Sequence, residues 1–247
     1  MKISSLSALS TDSVDLWFIK PDLLSTQHAQ TLQKILSPIE AEHLLQFKNK
    51  NAQFVNLITR AISRLILSKY TDTEAEKLSF VRTSLGKPSL EANKNSISFN
   101  LSHNNQLIVM AVCVNDNIGC DIENPARKVN ITSITRRYFS NEERNEITQL
   151  GEIQQRQRFF QYWTLKEAFV KATGKGISLG LDSFYFTQQG DEKKINLCFK
   201  NNYTLDKTAN WQCYQSDFLA QSLAICRETH HIQSINFIDA MELITPL

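Results

Sequence analysis

Apolar residues between positions 41 and 70 recur at steps of three and four. Leu44, Leu45, Phe47, Phe54, Leu57, Ile58, Ala61, Ile62, Leu65 and Ile66 form the series, and the spacing predicts one long amphipathic helix. A second long helix is predicted from about Ile153 to Ala172. Phe159, Phe160, Trp163, Phe169 and Val170 supply its apolar residues, and Gly174 ends it. Between the two, Ser140-Asn141-Glu142-Glu143 carries a capping-box pattern and opens a shorter helix. Ile97–Leu101 reads as a short strand and Leu107–Val114, apolar throughout, as a buried one. Asn115-Asp116-Asn117 reads as a turn, with Ile118–Ile122 as the antiparallel partner. After Gly180 the chain is strand-rich, at Ser183–Thr187, Asn196–Phe199, Gln212–Tyr214 and Leu219–Cys226. Each half therefore carries a long helix beside antiparallel strands. A structural duplication stays open, because no sequence self-similarity is convincing by eye.

Length and composition bound the function. A chain of 247 residues with 42% hydrophobic and 21% charged residues can bury a core as one large domain or two small ones. Twenty-seven basic against 25 acidic residues leave a net charge of +2, too balanced for a nucleic-acid coat or a polybasic membrane anchor. Seven glycines are few. A Walker-type loop is absent, because Val81 and Phe169 stand where its first glycine belongs before Gly86-Lys87 and Gly174-Lys175. The dinucleotide fingerprint is missed by one residue, with Leu179 before Gly180. Cysteines 113, 120, 198, 213 and 226 form no C-x-x-C pair and read as reduced core cysteines. The N-terminal MKISSLSALSTDSVD lacks a continuous apolar region, so no export signal is expected. The longest apolar run, Leu107–Val114, is far short of a membrane span. The expectation is a cytoplasmic protein without nucleic-acid or membrane partners.

The candidate chemistry lies in two short patterns. Asp121 and Glu123 sit two apart near the end of a predicted strand, so both carboxylates share one face. Gly119 shares that face and is expected to leave room for a ligand. Paired carboxylates tolerate each other around a cation, and magnesium suits one or two of them plus phosphate oxygens. A solvated D-x-E at a strand end is the plainer alternative. Trp163, Glu167 and Lys171 fall on one helix face at i, i+4 and i+8, where carboxylate and ammonium could form a mixed metal-and-phosphate surface. The plainer alternative is a surface ion pair of about 0.3–0.5 kcal/mol. Ser102-His103 follows a strand. Neighbouring side chains rarely face each other, so phosphate contacts fit better than a catalytic dyad. Glu143 is most simply the capping-box partner of Ser140, and a general-base role would have to coexist with that or replace it.

Taken in order, five elements resemble the 4′-phosphopantetheinyl transferase family, in its larger, surfactin-synthetase-activating type. They are Gly86-Lys87-Pro88, Phe99-Asn100-Leu101-Ser102-His103, Gly119-Cys120-Asp121-Ile122-Glu123, Tyr138 to Glu143, and Trp163 to Lys171. The stretch from Gly174 to Phe184 also matches. The G-x-D-x-E element followed about 40 residues later by W-x-x-K-E-x-x-x-K is the specific part. Such enzymes move the phosphopantetheine arm of coenzyme A onto a serine of an acyl or peptidyl carrier protein and release adenosine 3′,5′-bisphosphate.

The resemblance implies that Asp121, Glu123 and Glu167 hold magnesium on the pyrophosphate. It implies that Lys171 contacts the phosphates, and that Lys50, Lys87, Ser102 and His103 bind coenzyme A. Glu143 stands at the position proposed as base for the carrier serine, so the implied catalytic set is Glu143, Glu167 and Lys171. Gln53 stands where an arginine for the 3′-phosphate is expected, with Lys48 and Lys50 nearby. The implied fold is α+β: two similar α/β subdomains, pseudo-twofold related, each a long helix on a small mainly antiparallel sheet, with the site in the cleft between them. The expected division is 1–118 and 119–247, in a monomer. A metal-dependent nuclease is the alternative chemistry, although its sites usually space the last pair as E-x-K. An inactive carrier-binding protein is the third reading.

Overall fold

The computed structural model describes residues 9–189, 194–201, 203 and 209–244. The first eight residues, part of the segment read for an export signal, and Gly190 lie outside them. In chain order the elements are β1 (Ser13–Ile19), α1 (Thr26–Gln33), α2 (Pro38–Leu45), α3 (Lys50–Ser68), β2 (Phe80–Arg82), β3 (Pro88–Leu90), β4 (Ile97–His103), β5 (Ile108–Val114) and β6 (Ile118–Glu123). They continue with α4 (Ile131–Tyr138), α5 (Asn141–Thr148), α6 (Glu152–Thr173), β7 (Phe184–Gln189), β8 (Lys194–Phe199), β9 (Trp211–Phe218), β10 (Gln221–Glu228) and β11 (Ser234–Asp239).

Contacts divide the chain into two units. The first comprises Met1–Thr83, Pro88–Asn115 and Gln233–Leu247, and the second Ser84–Lys87 and Asp116–Ile232. The division therefore differs from the expected 1–118 and 119–247. It falls after Asn115, and the end of the chain returns to the first unit because β11 pairs in parallel with β1, Ser13 opposite Ser234. Neither β1 nor β11 was expected from the sequence.

The first unit is built on a sheet of order β11-β1-β5-β4. Alternation along β4 sends Ile97, Phe99 and Leu101 to one face, and the antiparallel register lines up Val112, Met110 and Trp17 beside them. Helix α3 covers this face with Val55, Ile58, Ile62 and Ile66, which join these residues in one core cluster. The predicted helix over 41–70 is in fact two. Helix α2 stops at Gln46, and Asn49 caps α3 by accepting from the Ala52 N–H at 3.0 Å. The polar run Lys48 to Asn51 has nothing apolar to bury, so the chain turns there.

A buried ion pair fixes α3. Ser37 and Glu40 form a capping box at the start of α2. Glu40 also accepts from Arg64 of α3 at 2.8 Å, while Arg64 donates to the carbonyls of Ala75 and Leu78, each at 2.9 Å. Burial works against the Glu40 carboxylate, but its bonds to Arg64 and Ser37 hold it below the usual carboxylate range.

The second unit carries the antiparallel sheet β6-β10-β9, the hairpin β7-β8 and the 22-residue α6. Its core is aromatic, with Phe139, Phe159, Phe160, Phe169, Phe184 and Tyr162 among its members. Gly174 ends α6 in the left-handed conformation, φ 67°, as expected. The predicted hairpin of β5 with β6 is not formed. Strand β5 pairs with β1 and β4, whereas β6 pairs with β10, Ile118 opposite Arg227. Asn115, at φ 68°, and its two neighbours are a passage from one sheet to the other. Asp116 is held there by Arg227 at 2.6 Å, and the Asn117 carbonyl accepts from the Glu228 N–H. Among the described residues no helix is long and apolar enough to cross a membrane.

Candidate active site

Strand β6 reads Ile-Gly-Cys-Asp-Ile-Glu. Its period of two puts Gly119, Asp121 and Glu123 on one face, and that face lies under α6. Gly119 was expected to leave room for a ligand, but the helix takes the space. A Cβ there would run into the backbone oxygen of Ala168 and the backbone nitrogen of Ala172. The glycine therefore lets the helix approach the strand. That approach brings the two motifs together.

Lys171 donates to Asp121 Oδ1 at 2.7 Å and to the Cys120 carbonyl at 3.2 Å. Trp163, two turns earlier, hydrogen-bonds Glu123. Glu167 stands between them on the helix face. Burial, the charge of Asp121 and that of Glu123 push its carboxyl up to about 7, against the opposing pull of Lys171. Glu123 is raised as well, by burial and by Asp121, although Arg127 forms an ion pair with it at 3.0 Å. Lys171 is raised: burial works against the ammonium, and the charges of Asp121 and Glu167 outweigh it. Three carboxylates thus share one strip with two cations, Lys171 and Arg127.

Among the described residues no three His, Cys, Asp or Glu side chains form a ready-made metal cage. Magnesium does not ask for one, since it takes one or two protein carboxylates and fills its octahedron with water and phosphate. The hard oxygen donors of Asp121, Glu123 and Glu167 suit that ion, and burial together with neighbouring carboxylate charge raises Glu123 and Glu167.

The remaining expected residues fall elsewhere. Glu143 is almost fully buried at the start of α5. Its Oε2 accepts from the Ser140 N–H at 2.9 Å and pairs with Lys166 at 2.9 Å, and its Oε1 accepts from the Phe186 N–H at 3.2 Å. The capping-box alternative is thus formed. A carboxylate so engaged gives up these bonds if it is to take a proton from a substrate. Lys87 donates to the carbonyls of Ala172 at 2.8 Å and Ile118 at 3.2 Å, closing the C-terminal end of α6. Lys50 is exposed and reaches Gln53 at 3.2 Å, while Gln53 itself donates to the Leu44 carbonyl at 2.7 Å, tying α3 to α2. Ser102 and His103 occupy opposite faces of β4, Ser102 buried and His103 exposed. The structure does not bring them together.

His103 instead lines a cavity of about 640 Å³ in the first unit, with Thr59, Arg60, Phe80, Arg82 and Phe99. Sequence reasoning missed this cavity. Arg60 is its informative member. Its Nε is buried without a hydrogen-bond partner, and burial together with the charges of Arg82 and Arg64 destabilises its cationic form, Glu40 opposing. The signal was present in α3, where Arg60 and Arg64, one turn apart, are the only charged residues after Lys50. Lys166 was also missed as a buried group, although it follows Phe159 and Tyr162 at core spacing on α6.

Residues 117–227 match the 4′-phosphopantetheinyl transferase superfamily, and residues 24–115 match the family described as 4′-phosphopantetheinyl transferase, N-terminal. The chain is 34% identical over 172 residues to 4′-phosphopantetheinyl transferase HetI of Nostoc sp., covering 69% of this chain and 72% of that one. It is 28% identical over 192 residues to 4′-phosphopantetheinyl transferase Sfp of Bacillus subtilis, covering 74% and 83%. A crystal structure of a holo-(acyl-carrier-protein) synthase from Bacillus anthracis overlaps 45% of this chain and 93% of that one, at 20% identity and a TM-score of 0.37. These matches place the chain among enzymes of the group-transferring class. The chain is a member of the 4′-phosphopantetheinyl transferase family.

Proposed function

We propose that this enzyme transfers the 4′-phosphopantetheine arm of coenzyme A to a serine of an apo carrier protein, with magnesium, and releases adenosine 3′,5′-bisphosphate. The observation that carries the reading is the gathering of Asp121, Glu123 and Glu167 by β6 and α6, with Glu167 held at about 7 although Lys171 pairs with Asp121 and Arg127 with Glu123. Such a strip favours an added cation. Asp121, Glu123 and Glu167 would hold magnesium, which neutralises pyrophosphate charge when bound. Lys171 adds a fixed positive charge at the same place, for the charge that gathers on the leaving phosphate. Trp163 and the Gly119 approach hold the carboxylates in register, so that positioning and charge neutralisation do the work that phosphoryl chemistry asks of a protein.

The cavity of the first unit suits a phosphate-bearing end of coenzyme A. Arg60 offers an unpaired buried N–H, with Arg82 and His103 also lining the cavity. This assigns the 3′-phosphate to Arg60 in place of the arginine missing at Gln53. We also infer that the two units repeat one plan. In each, the Glu of a Ser capping box on a short helix pairs with a buried cation of the following long helix, and that cation donates to backbone carbonyls beyond it.

The test is intact-mass measurement of a panel of apo-carriers incubated with coenzyme A, with and without magnesium. A phosphopantetheine mass gain on the carrier serine, dependent on magnesium, is expected. No gain on any acyl or peptidyl carrier would overturn the reading.

A further inference from the structure

We infer that Lys166 and Glu143 are positioning residues: they lock the rotation of α6 and thereby set where Glu167 and Lys171 stand, and Glu143 is not the proton acceptor. The inference rests on the proposed transfer reaction for its kinetic consequences, but not for its geometry.

Lys166 is fully buried. Its ammonium has three donors, and three oxygens receive them: Glu143 Oε2 at 2.9 Å, the Leu181 carbonyl at 2.7 Å and the Phe184 carbonyl at 2.8 Å. The oxygens come from α5 and from the segment leading into β7, so the helix is tied to two separate pieces of chain. Glu143 is equally committed, to Ser140, Phe186 and Lys166. The rings of Phe139 and Phe184 lie 5.6 and 4.6 Å from the ammonium and keep water away. Arg64 and Glu40 form a similar anchor in the first unit, a capping-box glutamate bonded to a buried cation that also donates to backbone carbonyls, on a helix that carries no acidic strip. Two glutamates in one structural role argue that the role is structural in both.

The consequence for the site follows from helix geometry. Lys166 and Glu167 are neighbours, so their directions differ by about 100° around the axis. A rotation of about 20° would carry a carboxylate at the helix rim by about 2 Å. A misplacement of about 1 Å can cost about 100-fold in rate. The Gly119 contact and the bonds of Lys171 and Lys87 hold α6 on the strand side, and the Lys166 bonds hold it from another side.

The test uses Glu143→Gln and Lys166→Met in the full chain. Glu143→Gln keeps the shape of the side chain and one acceptor oxygen, for either the Ser140 or the Phe186 N–H, and is the variant that retains the fold more readily. For a group that orients metal ligands, the affinity for magnesium in the presence of coenzyme A, read by calorimetry, should fall about 10- to 100-fold. The KM for the carrier and the shape of the pH–kcat profile should stay as in the parent. Lys166→Met should weaken magnesium binding in the same way, and if it fails to fold, Glu143→Gln decides alone. Unchanged magnesium affinity in Glu143→Gln overturns the inference, whether activity is kept or lost. Lost kcat with the acid limb of the pH profile removed would make Glu143 the base instead. If the parent enzyme labels no carrier, the transfer reading fails while the calorimetric result still decides the positioning role.

Discussion

Helices α3 and α6 make the same kind of bond and serve different sites. Each carries one buried cation that reaches back to a capping-box glutamate and forward to backbone carbonyls. Around that shared device almost everything else differs. The first unit has a mainly aliphatic core, and Glu40 retains 15% side-chain exposure. The second has an aromatic core, and its Lys166–Glu143 pair is wholly out of solvent. One turn before Arg64 stands Arg60, facing a cavity. One residue after Lys166 stands Glu167, on α6 beside the carboxylates of β6. The frame fixes the rotation of a long helix, and the residues just beside the anchor decide whether the unit gathers positive or negative charge. On the inferred common plan, function lies in the residues that differ around the shared anchor.

The comparison can be broken in several ways. The largest effect is expected at Gly119, which has no counterpart role in the first unit. Gly119→Ala sets a methyl group against backbone that cannot move aside, and should cost at least about 3 kcal/mol, at the upper end for overpacking. Urea denaturation or the loss of soluble protein would show it. A smaller effect is expected at Arg60. Removing a hydrogen bond to a charged group costs about 1.5–3 kcal/mol, so Arg60→Met should raise the KM for coenzyme A about 10- to 100-fold with little change in kcat. With 3′-dephospho-coenzyme A the parent and the variant should be alike. A difference that persists with this substrate would place the contact elsewhere.

The smallest effect is the acid response of the first anchor. The folded Glu40 has its pKa lowered from 4.5, so the group contributes stability above that value and loses it as pH falls through the lowered one. Melting temperature followed from pH 6 downward should fall below about pH 4.5. Arg64→Met should flatten that fall. An identical slope in the variant would detach Glu40 from the acid response.

Much of the acidic site was legible in the sequence, because its residues sit at the periods of the elements that carry them. Asp121 and Glu123 share a face by a step of two, and Trp163, Glu167 and Lys171 by steps of four. Both periods survive folding unchanged. The capping box at Ser140 was legible for the same local reason. Lys166 was not, because a lysine beside Glu167 reads as part of a charged face until the packing of Phe139 and Phe184 around it is seen. The helix break at residues 46–49 was hidden because apolar spacing continues across it. The failed hairpin shows the limit most clearly. A three-residue Asn-Asp-Asn link between apolar strands looks like a turn, and only long-range pairing of β6 with β10 tells that it is a passage. Strand β11 is partly exposed and short, and its partner β1 lies more than 200 residues away in the chain.

The central claim is that the strip formed by β6 and α6 is where the chemistry happens, and Glu167→Gln tests it most directly. This change removes one charge from the strip and keeps the shape of the side chain. Intact-mass measurement of one apo-carrier that the parent labels, with coenzyme A and magnesium, should show the rate of phosphopantetheine transfer falling at least about 100-fold, the scale of a lost electrostatic contact in a transition state. Circular dichroism should be unchanged. Full labelling of the carrier by a folded Glu167→Gln protein, at the rate of the parent, would contradict the account.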